Sequence, residues 1–218
     1  MRYAILSDVH GRLHKLEAVL ADARTRNAGQ ILSLGDVGGE ECLRLLRDAC
    51  AEVVFGNYEV SGWRSLEAGL RAWVRDWPAM LALDDLIAVH AVPWLPEGLR
   101  TVTDLGRWLK RTGHSWRALF PYVTEDEELL WRVLVELEIA GGRILFHGHT
   151  HRQAIWAWEP FGRLRRLRAS ITDVKSDHHY VVGVGSVGLP EDGCWAAYAL
   201  YDTAAARVEL VRLAAPPL

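Results

Sequence analysis

Several things are scarce in this chain, and each absence narrows the reading. There are three cysteines (Cys42, Cys50 and Cys194). An odd number at irregular spacing implies no disulfide framework. Cys42 and Cys50 fall on an expected helix and read as small core residues. No apolar run reaches the roughly 18 residues of a spanning helix, so no membrane association is expected. No positively charged, apolar leader precedes the strand-like Tyr3-Ala4-Ile5-Leu6, and a soluble cytoplasmic protein is expected. Excess positive charge is also missing: the net charge is -3 over 218 residues. That leaves no electrostatic footprint for nucleic acid or a membrane surface. Lysine is rare, 3 against 22 arginines, which we read as a coding or stability preference. No low-complexity tract, internal repeat or Gly/Ser linker divides the chain. Half of its residues are hydrophobic, enough for a substantial core in a single domain spanning 1–218.

The first half alternates between two periods. Residues 2–7, 30–34 and 52–55 are short apolar runs. Between them, Leu13, Leu16, Leu20 and Ala23 recur at helix spacing, as do Leu43, Leu46 and Ala49 around 40–49. A third helix is expected over 62–74 from Trp63, Leu66, Leu70 and Trp73. This βαβαβα order implies parallel strands joined by right-handed crossovers. Residues 80–83 and 86–89 flank Asp84-Asp85 and read as a hairpin. Residues 94–140 form a helical cap insertion with helices near 103–111 and 124–140, the second opened by a Thr124/Glu127 capping box. Short strands follow at 143–146, 155–158, 164–171, 180–184, 195–201 and 207–213. Two mixed sheets with helices outside them fit this order.

Five short motifs carry the chemistry. They are Ser7-Asp8-Val9-His10-Gly11, Leu34-Gly35-Asp36-Val37, Phe55-Gly56-Asn57-Tyr58-Glu59, Val89-His90-Ala91 and Phe146-His147-Gly148-His149-Thr150-His151. Each places a potential metal ligand just after an apolar run, where ligands gather in open α/β sheets. Asp8, His10, Asp36, Asn57, His90, His149 and His151 supply enough donors for two adjacent ions. In an extended stretch the two-residue spacing lets Asp8 and His10 face one ion, and His149 and His151 likewise. Mixed oxygen and nitrogen donors suit Mn, Fe, Zn, Co or Ni better than Ca or Mg. A carboxylate such as Asp36 can bridge two ions, and a water between them becomes a nucleophile near neutral pH. Taken singly, each motif has an ordinary structural reading: Gly-Asp as a turn, Asn57 as a left-handed turn residue, His90 as a core histidine. Their joint order and spacing argue for the site.

In that order the motifs resemble those of the calcineurin-like metallophosphoesterases, whose pattern runs Asp-x-His, Gly-Asp, Gly-Asn, a strand-end His and Gly-His-x-His. The stretch Val184-Gly185-Ser186-Val187-Gly188-Leu189-Pro190-Glu191-Asp192-Gly193 also resembles a segment of the small bacterial phosphodiesterase-like branch. The resemblance implies a four-layer αββα sandwich with a dimetal site at one edge. It implies that Asp8, His10, Asp36 and His151 hold one ion and Asp36, Asn57, His90 and His149 a second, with manganese the first expectation. The implied activity is hydrolysis of phosphodiesters or phosphomonoesters by in-line attack of a metal-bridging hydroxide, with Asp36, Asn57 and His90 in the catalytic set. The implied partner is a small phosphate ester; the oligomeric state stays open. A non-catalytic scaffold or a metal- or nucleotide-sensing protein is the alternative on the same fold.

Tyr58 stands where many members of the family carry a histidine. A phenol is a weak proton donor at neutral pH but can donate a hydrogen bond. Tyr58 and Arg152 are expected at the substrate, Arg152 either on a phosphate oxygen or solvated. Gly183-Val184-Gly185-Ser186-Val187-Gly188 mimics a dinucleotide fingerprint, but Leu189-Pro190 follows where a helix should open. A tight turn, or a backbone contact to substrate, is expected instead. His147 reads as structural, and His178 and His179 as solvent-facing in a polar turn. Trp94, Trp108, Trp116 and Trp131 read as the core of the helical insertion, with an aromatic wall for a ring as the alternative. Arg163–Arg168 reads as the exposed face of a strand.

Overall fold

The computed structural model describes residues 1–49, 51–123 and 126–216. In chain order the elements are β1 (Arg2–Leu6), α1 (Leu13–Thr25), β2 (Gln30–Ser33), α2 (Glu40–Asp48), β3 (Glu52–Val53), α3 (Asn57–Gly62), α4 (Ala68–Val74), β4 (Met80–Leu83) and β5 (Leu86–Val89). They continue with α5 (Val102–Thr112), α6 (Glu127–Ile139), β6 (Ile144–His147), β7 (Gln153–Glu159), β8 (Arg163–Leu167), β9 (Ile171–Asp173), β10 (His179–Val184), β11 (Ala196–Asp202) and β12 (Arg207–Leu213). One sheet runs β3-β2-β1-β11-β12-β9 and the other β4-β5-β6-β10-β7-β8. Both are mixed: β1, β2 and β3 are parallel, as are β5, β6 and β10, and the remaining pairings are antiparallel.

The alternation of side chains along each strand builds the layers. From β1, Tyr3 and Ile5 enter the core between the sheets, while Ala4 and Leu6 face the helices. From β6, Ile144 and Phe146 point inward and Leu145 outward, and β10 divides Tyr180 and Val182 from Val181 in the same way. Strands covered on both faces read as unbroken apolar runs, which explains the sequence pattern. On the first sheet α1 buries Leu16, Val19, Leu20 and Ala23. On the second, α6 buries Leu130, Val133, Leu134 and Leu137. The result is the expected αββα sandwich.

Several expectations need correction. The helix expected over 62–74 is two helices, and the first begins at Asn57 itself, because the Glu59 side chain accepts the Gly56 N–H at 2.8 Å and starts the helix there. The strand expected over 164–171 is split: β8 joins the second sheet, and β9 crosses to the first. Thr124 and Cys50 lie outside the described residues; the N-cap of α6 is Asp126, which accepts from the Leu129 N–H at 3.1 Å. His178 does not face water: it is buried, bonded to Asp177 at 2.7 Å and stacked on Tyr180. The four tryptophans of 94–140 do not form a core of their own. Trp108 and Trp116 pack into the outer core of the first sheet, Trp94 and Trp131 into that of the second, so α5 and α6 belong to opposite outer layers.

Candidate metal centre

All five motifs emerge at the C-terminal ends of parallel strands: β1, β2 and β3 in one sheet, β5 and β6 in the other. The two sheets therefore deliver their loops to one edge of the sandwich. The backbone there is unusual. Of nine non-glycine residues with positive φ among the described residues, five are Asp8, His10, Asp36, His149 and His151. Left-handed backbone is costly for such residues, typically about 1–3 kcal/mol each where the surroundings impose it. This corrects the expected extended geometry of the two-residue pairs. The chain turns sharply at these five residues, so donors from different loops converge.

The polar atoms meet at short range. His10 Nε2 lies 3.2 Å from His151 Nε2. The same His151 nitrogen is 3.2 Å from Asp8 Oδ1, and His10 Nε2 is 3.7 Å from it. Asp36 Oδ2 is 4.0 Å from His10 Nε2, while Asp36 Oδ1 is 3.6 Å from His90 Nε2. The Asp36 carboxylate thus faces both histidine groups. Asn57 Oδ1 completes this side at 3.2 Å from His90 Nε2. Asp8, His10 and His151 form one cluster able to hold an ion, and Asp8, Asp36 and His90 another. His149 joins them with its ring 5.0 Å from that of His90.

Tautomers are set from behind. His90 Nδ1 donates to the Leu34 carbonyl at 2.7 Å and His151 Nδ1 to the Leu189 carbonyl at 2.9 Å, which leaves each Nε2 lone pair turned to the site. His149 Nε2 is among the buried atoms that lack a hydrogen-bond partner among the described residues, and Asp8 Oδ1 has only the histidines of the cluster near it, His151 Nε2 at 3.2 Å. Orphaned buried acceptors are expensive, and two imidazole nitrogens do not face each other at 3.2 Å without a shared proton or cation. The donor set fits divalent transition ions.

Charge follows the geometry. Burial works to raise the Asp8 carboxyl, but His10 and His151 outweigh it and hold the group well below the usual carboxylate range. The Asp36 carboxyl is pushed up, chiefly by burial and by the Asp8 charge. Burial alone would depress His90, but Asp36 and Asp8 raise it. His149 is driven down to about 4 by burial and by the neighbouring His90.

Sequence reasoning missed the part played by Glu59. This buried carboxylate accepts three backbone N–H groups, from Asp36 and Val37 at 2.9 Å and from Gly56 at 2.8 Å. It ties the Asp36 loop to the Asn57 loop from beneath. Burial and the charge of Asp36 push its carboxyl upward. The Gly56-x-x-Glu59 spacing was the available signal, because it is that of a capping box. Gly56 has no room for a side chain: a Cβ would collide with Asp36 Oδ1 and meet His90 Cε1 at 2.8 Å.

The loop after β10 also has a defined place. Val187 N donates to the Ser7 carbonyl at 3.0 Å, and Gly188 N and Ser186 Oγ to that of Asp8 at 2.9 and 2.8 Å. No helix follows it. The loop buttresses the strained turn at Asp8. His147 is a buried residue bonded to the Gly148 carbonyl at 2.9 Å and pushed down to about 4 by burial. Arg152 is exposed and paired with Glu191 at 3.0 Å. Tyr58 is half exposed, sets its ring edge-on to His10 at 5.2 Å, and donates its backbone N–H to Asp36 Oδ1 at 2.7 Å. Tyr122 is equally exposed and stacks on His149 at 4.7 Å, with Phe120 beside both His90 and His149. Tyr58, Tyr122 and Phe120, rather than the four tryptophans, line the histidines.

A strand-end cluster of carboxylates and imidazoles at the edge of an αββα sandwich is a candidate metal site. Residues 1–206 match the Calcineurin-like phosphoesterase superfamily domain, and the chain belongs to that family. It is 28% identical to an uncharacterized protein of Methanocaldococcus jannaschii, MJ0912, over 96% of this chain and 86% of that one. Its fold is similar to the crystal structure of a metallophosphoesterase from Sphaerobacter thermophilus, with a TM-score of 0.70, 24% identity, and 99% and 90% of the two chains covered. It is also similar to a structure described as a novel archaeal phosphodiesterase, with a TM-score of 0.52, 15% identity, and 98% and 100% covered. No helix among the described residues is long and apolar enough to cross a membrane.

Proposed function

We propose that this chain is a dimetal phosphoesterase acting on small phosphodiesters or activated phosphomonoesters. The observation that carries the reading is the meeting of His10 Nε2 and His151 Nε2 at 3.2 Å beside Asp8 Oδ1, which is itself 3.2 Å from His151 Nε2. In this reading Asp8, His10 and His151 hold one ion, Asn57, His90 and His149 hold the other, and Asp36 lies between them. Manganese is the first choice, and Fe, Co, Ni or Zn suit the same donors. Bound ions of this kind supply Lewis acidity and acidify water.

The chain's own residues do the rest. Asp36, oriented through Glu59 and the Tyr58 N–H, presents one oxygen to each histidine group. The Leu34 and Leu189 carbonyls keep His90 and His151 in the ligating tautomer. Asn57 places its amide at the same point and serves as a donor to the charge that builds on phosphoryl oxygens. Tyr58 stands at the mouth with a phenol, which can donate a hydrogen bond to a leaving group. It protonates an alkoxide poorly, hence the preference for diesters and activated esters.

The test is hydrolysis of bis-p-nitrophenyl phosphate and p-nitrophenyl phosphate by chelator-stripped protein resupplied in turn with Mn, Ni, Co, Zn and Mg. Metal-dependent turnover that disappears in Asp36→Asn is expected. Tight metal binding without turnover under any metal would overturn the enzyme and leave the scaffold or sensor. Wild-type metal content and rate in Asp36→Asn would overturn the ligand assignment.

A further inference from the structure

On the His90 side, the metal cluster ends in a ring that belongs to none of the five motifs. His90, His149 and Tyr122 form a row that runs from the interior to the surface. The His90 and His149 rings are 5.0 Å apart, and the Tyr122 ring stacks on His149 at 4.7 Å, its plane 24° from that of the imidazole. Exposure rises along the row, from 2% for His90 and 6% for His149 to 50% for Tyr122. His149 therefore covers one face of the phenol ring, and the opposite face is left to solvent at the edge of the cluster. Tyr58, across the cluster, is as exposed, but it meets His10 edge-on at 86° and continues no stack.

The neighbours of Tyr122 hold it there. Phe120 is buried in the outer core of the first sheet, with its ring 5.6 Å from that of His90 and 6.1 Å from that of His149. Val123 is fully buried in the outer core of the second sheet. The segment thus spans the two outer layers at the site, and Tyr122 is the side chain left outside between the two anchors. A backbone pinned on both sides leaves little freedom to lose when a ligand binds.

We propose that Tyr122 is a stacking platform by which the site selects phosphate esters whose organic group carries a planar ring, such as a nucleobase. The proposal rests on the metal-centre reading above, since the phosphoryl group must lie at the cluster for its organic group to reach Tyr122. The ring of the ligand takes the open face of Tyr122 and extends the stack that His149 begins. Parallel, offset aromatic rings attract beyond the area they bury. Every base has such a face, so the platform selects for a flat ring and not for one base.

Calorimetric titration of the manganese-loaded full chain with adenosine 5′-monophosphate and with ribose 5-phosphate tests it. The two ligands share phosphate and sugar and differ in the base; both are alkyl monoesters, poor substrates in the reading above. The nucleotide should bind more tightly. Tyr122→Ala should weaken it about 5–150-fold, the usual loss for one stacked base, with binding of ribose 5-phosphate and of manganese as in the wild type. Tyr122→Trp keeps a flat ring and should keep the advantage of the nucleotide. Equal wild-type affinity for the two ligands, or a loss in Tyr122→Ala shared equally by both, would overturn the platform and leave the metal centre standing. If neither ligand binds the manganese-loaded protein, the metal-centre reading fails and the platform with it.

Discussion

Replacing Glu59 with glutamine isolates what this buried carboxylate does. One of its oxygens accepts from Asp36 N and Gly56 N, and the other from Val37 N. A glutamine amide has a single acceptor oxygen. Set on the side with two donors, it leaves the Val37 N–H facing an NH₂ group. Losing one hydrogen bond to a charged acceptor costs about 1.5–3 kcal/mol, and the two that survive weaken as the charge goes. An opposing effect exists in the metal-free protein: removing the charge relieves repulsion against Asp36, which pushes the Glu59 carboxyl up after burial itself. Net destabilisation of the apoprotein should therefore be modest, about 1–2 kcal/mol after that offset. In the proposed dimetal centre metal binding has no such offset, because ions there would compensate the wild-type charge and would need the Asp36 and Asn57 loops held in place. Loss of a group that orients metal ligands typically lowers affinity about 10–100-fold. The assays are urea unfolding of the stripped protein and competitive titration of manganese against a chelating dye. A Glu59→Gln protein with wild-type affinity would refute the positioning role, whatever its stability.

Three other perturbations have defined outcomes. In Gly148→Ala, the new methyl would overlap Ser7 Oγ and meet Asp8 Oδ2 at 2.6 Å; we expect about 1–3 kcal/mol of overpacking in urea unfolding and weaker metal binding. His147 is buried and its pKa is lowered to about 4, so its contribution to stability is fully present above the unfolded value of about 6.5 and is lost as pH falls toward 4. Relative to His147→Asn, the metal-free wild type should lose about 2–3 kcal/mol between pH 7.5 and 4.5, read from urea midpoints; a constant difference would contradict the burial of a neutral ring. Tyr58→His should raise the monoester rate relative to the diester rate in the p-nitrophenyl assays, and unchanged rates for both would remove Tyr58 from the chemistry.

Much of the architecture is legible in the sequence because burial on two faces leaves a strong mark. The runs 2–7, 30–34, 86–89 and 143–146 are strands packed on both sides, and each is followed by a ligand motif. What periodicity cannot report is the partner. Arg163–Leu167 and Ile171–Asp173 look like one strand, yet they pair in different sheets, because the crossing occurs within a polar stretch that buries nothing. The helices of 94–140 are evident, but an amphipathic face does not say which sheet it covers, so α5 and α6 read as a unit although they lie in opposite layers. Glu59 is visible within its motif, but its three N–H partners come from two loops that only the folded chain brings together. Tyr122 and Phe120 have no motif; they reach His149 because of where the segment before α6 passes.

Costs of several kinds gather at this site, and their coincidence is the strongest physical argument about it. Asp8, His10, Asp36, His149 and His151 all hold left-handed backbone. Asp8 and Asp36 are buried carboxylates within one ligand cluster, and His149 Nε2 is buried without a hydrogen-bond partner among the described residues. Like charges, strain and orphaned atoms are each destabilising in isolation. Around them the fold is over-determined: Glu59 beneath the Asp36 and Asn57 loops, the Val187–Gly188 backbone against Ser7 and Asp8, and the Leu34 and Leu189 carbonyls behind two imidazoles. A chain that needed only stability would relax the turns and neutralise the carboxylates. A cation among these donors removes the repulsion and supplies the missing partners at once, while the backbone stays pre-set to receive it. The same bonds that keep the strained turns in place also fix the geometry that metal binding requires.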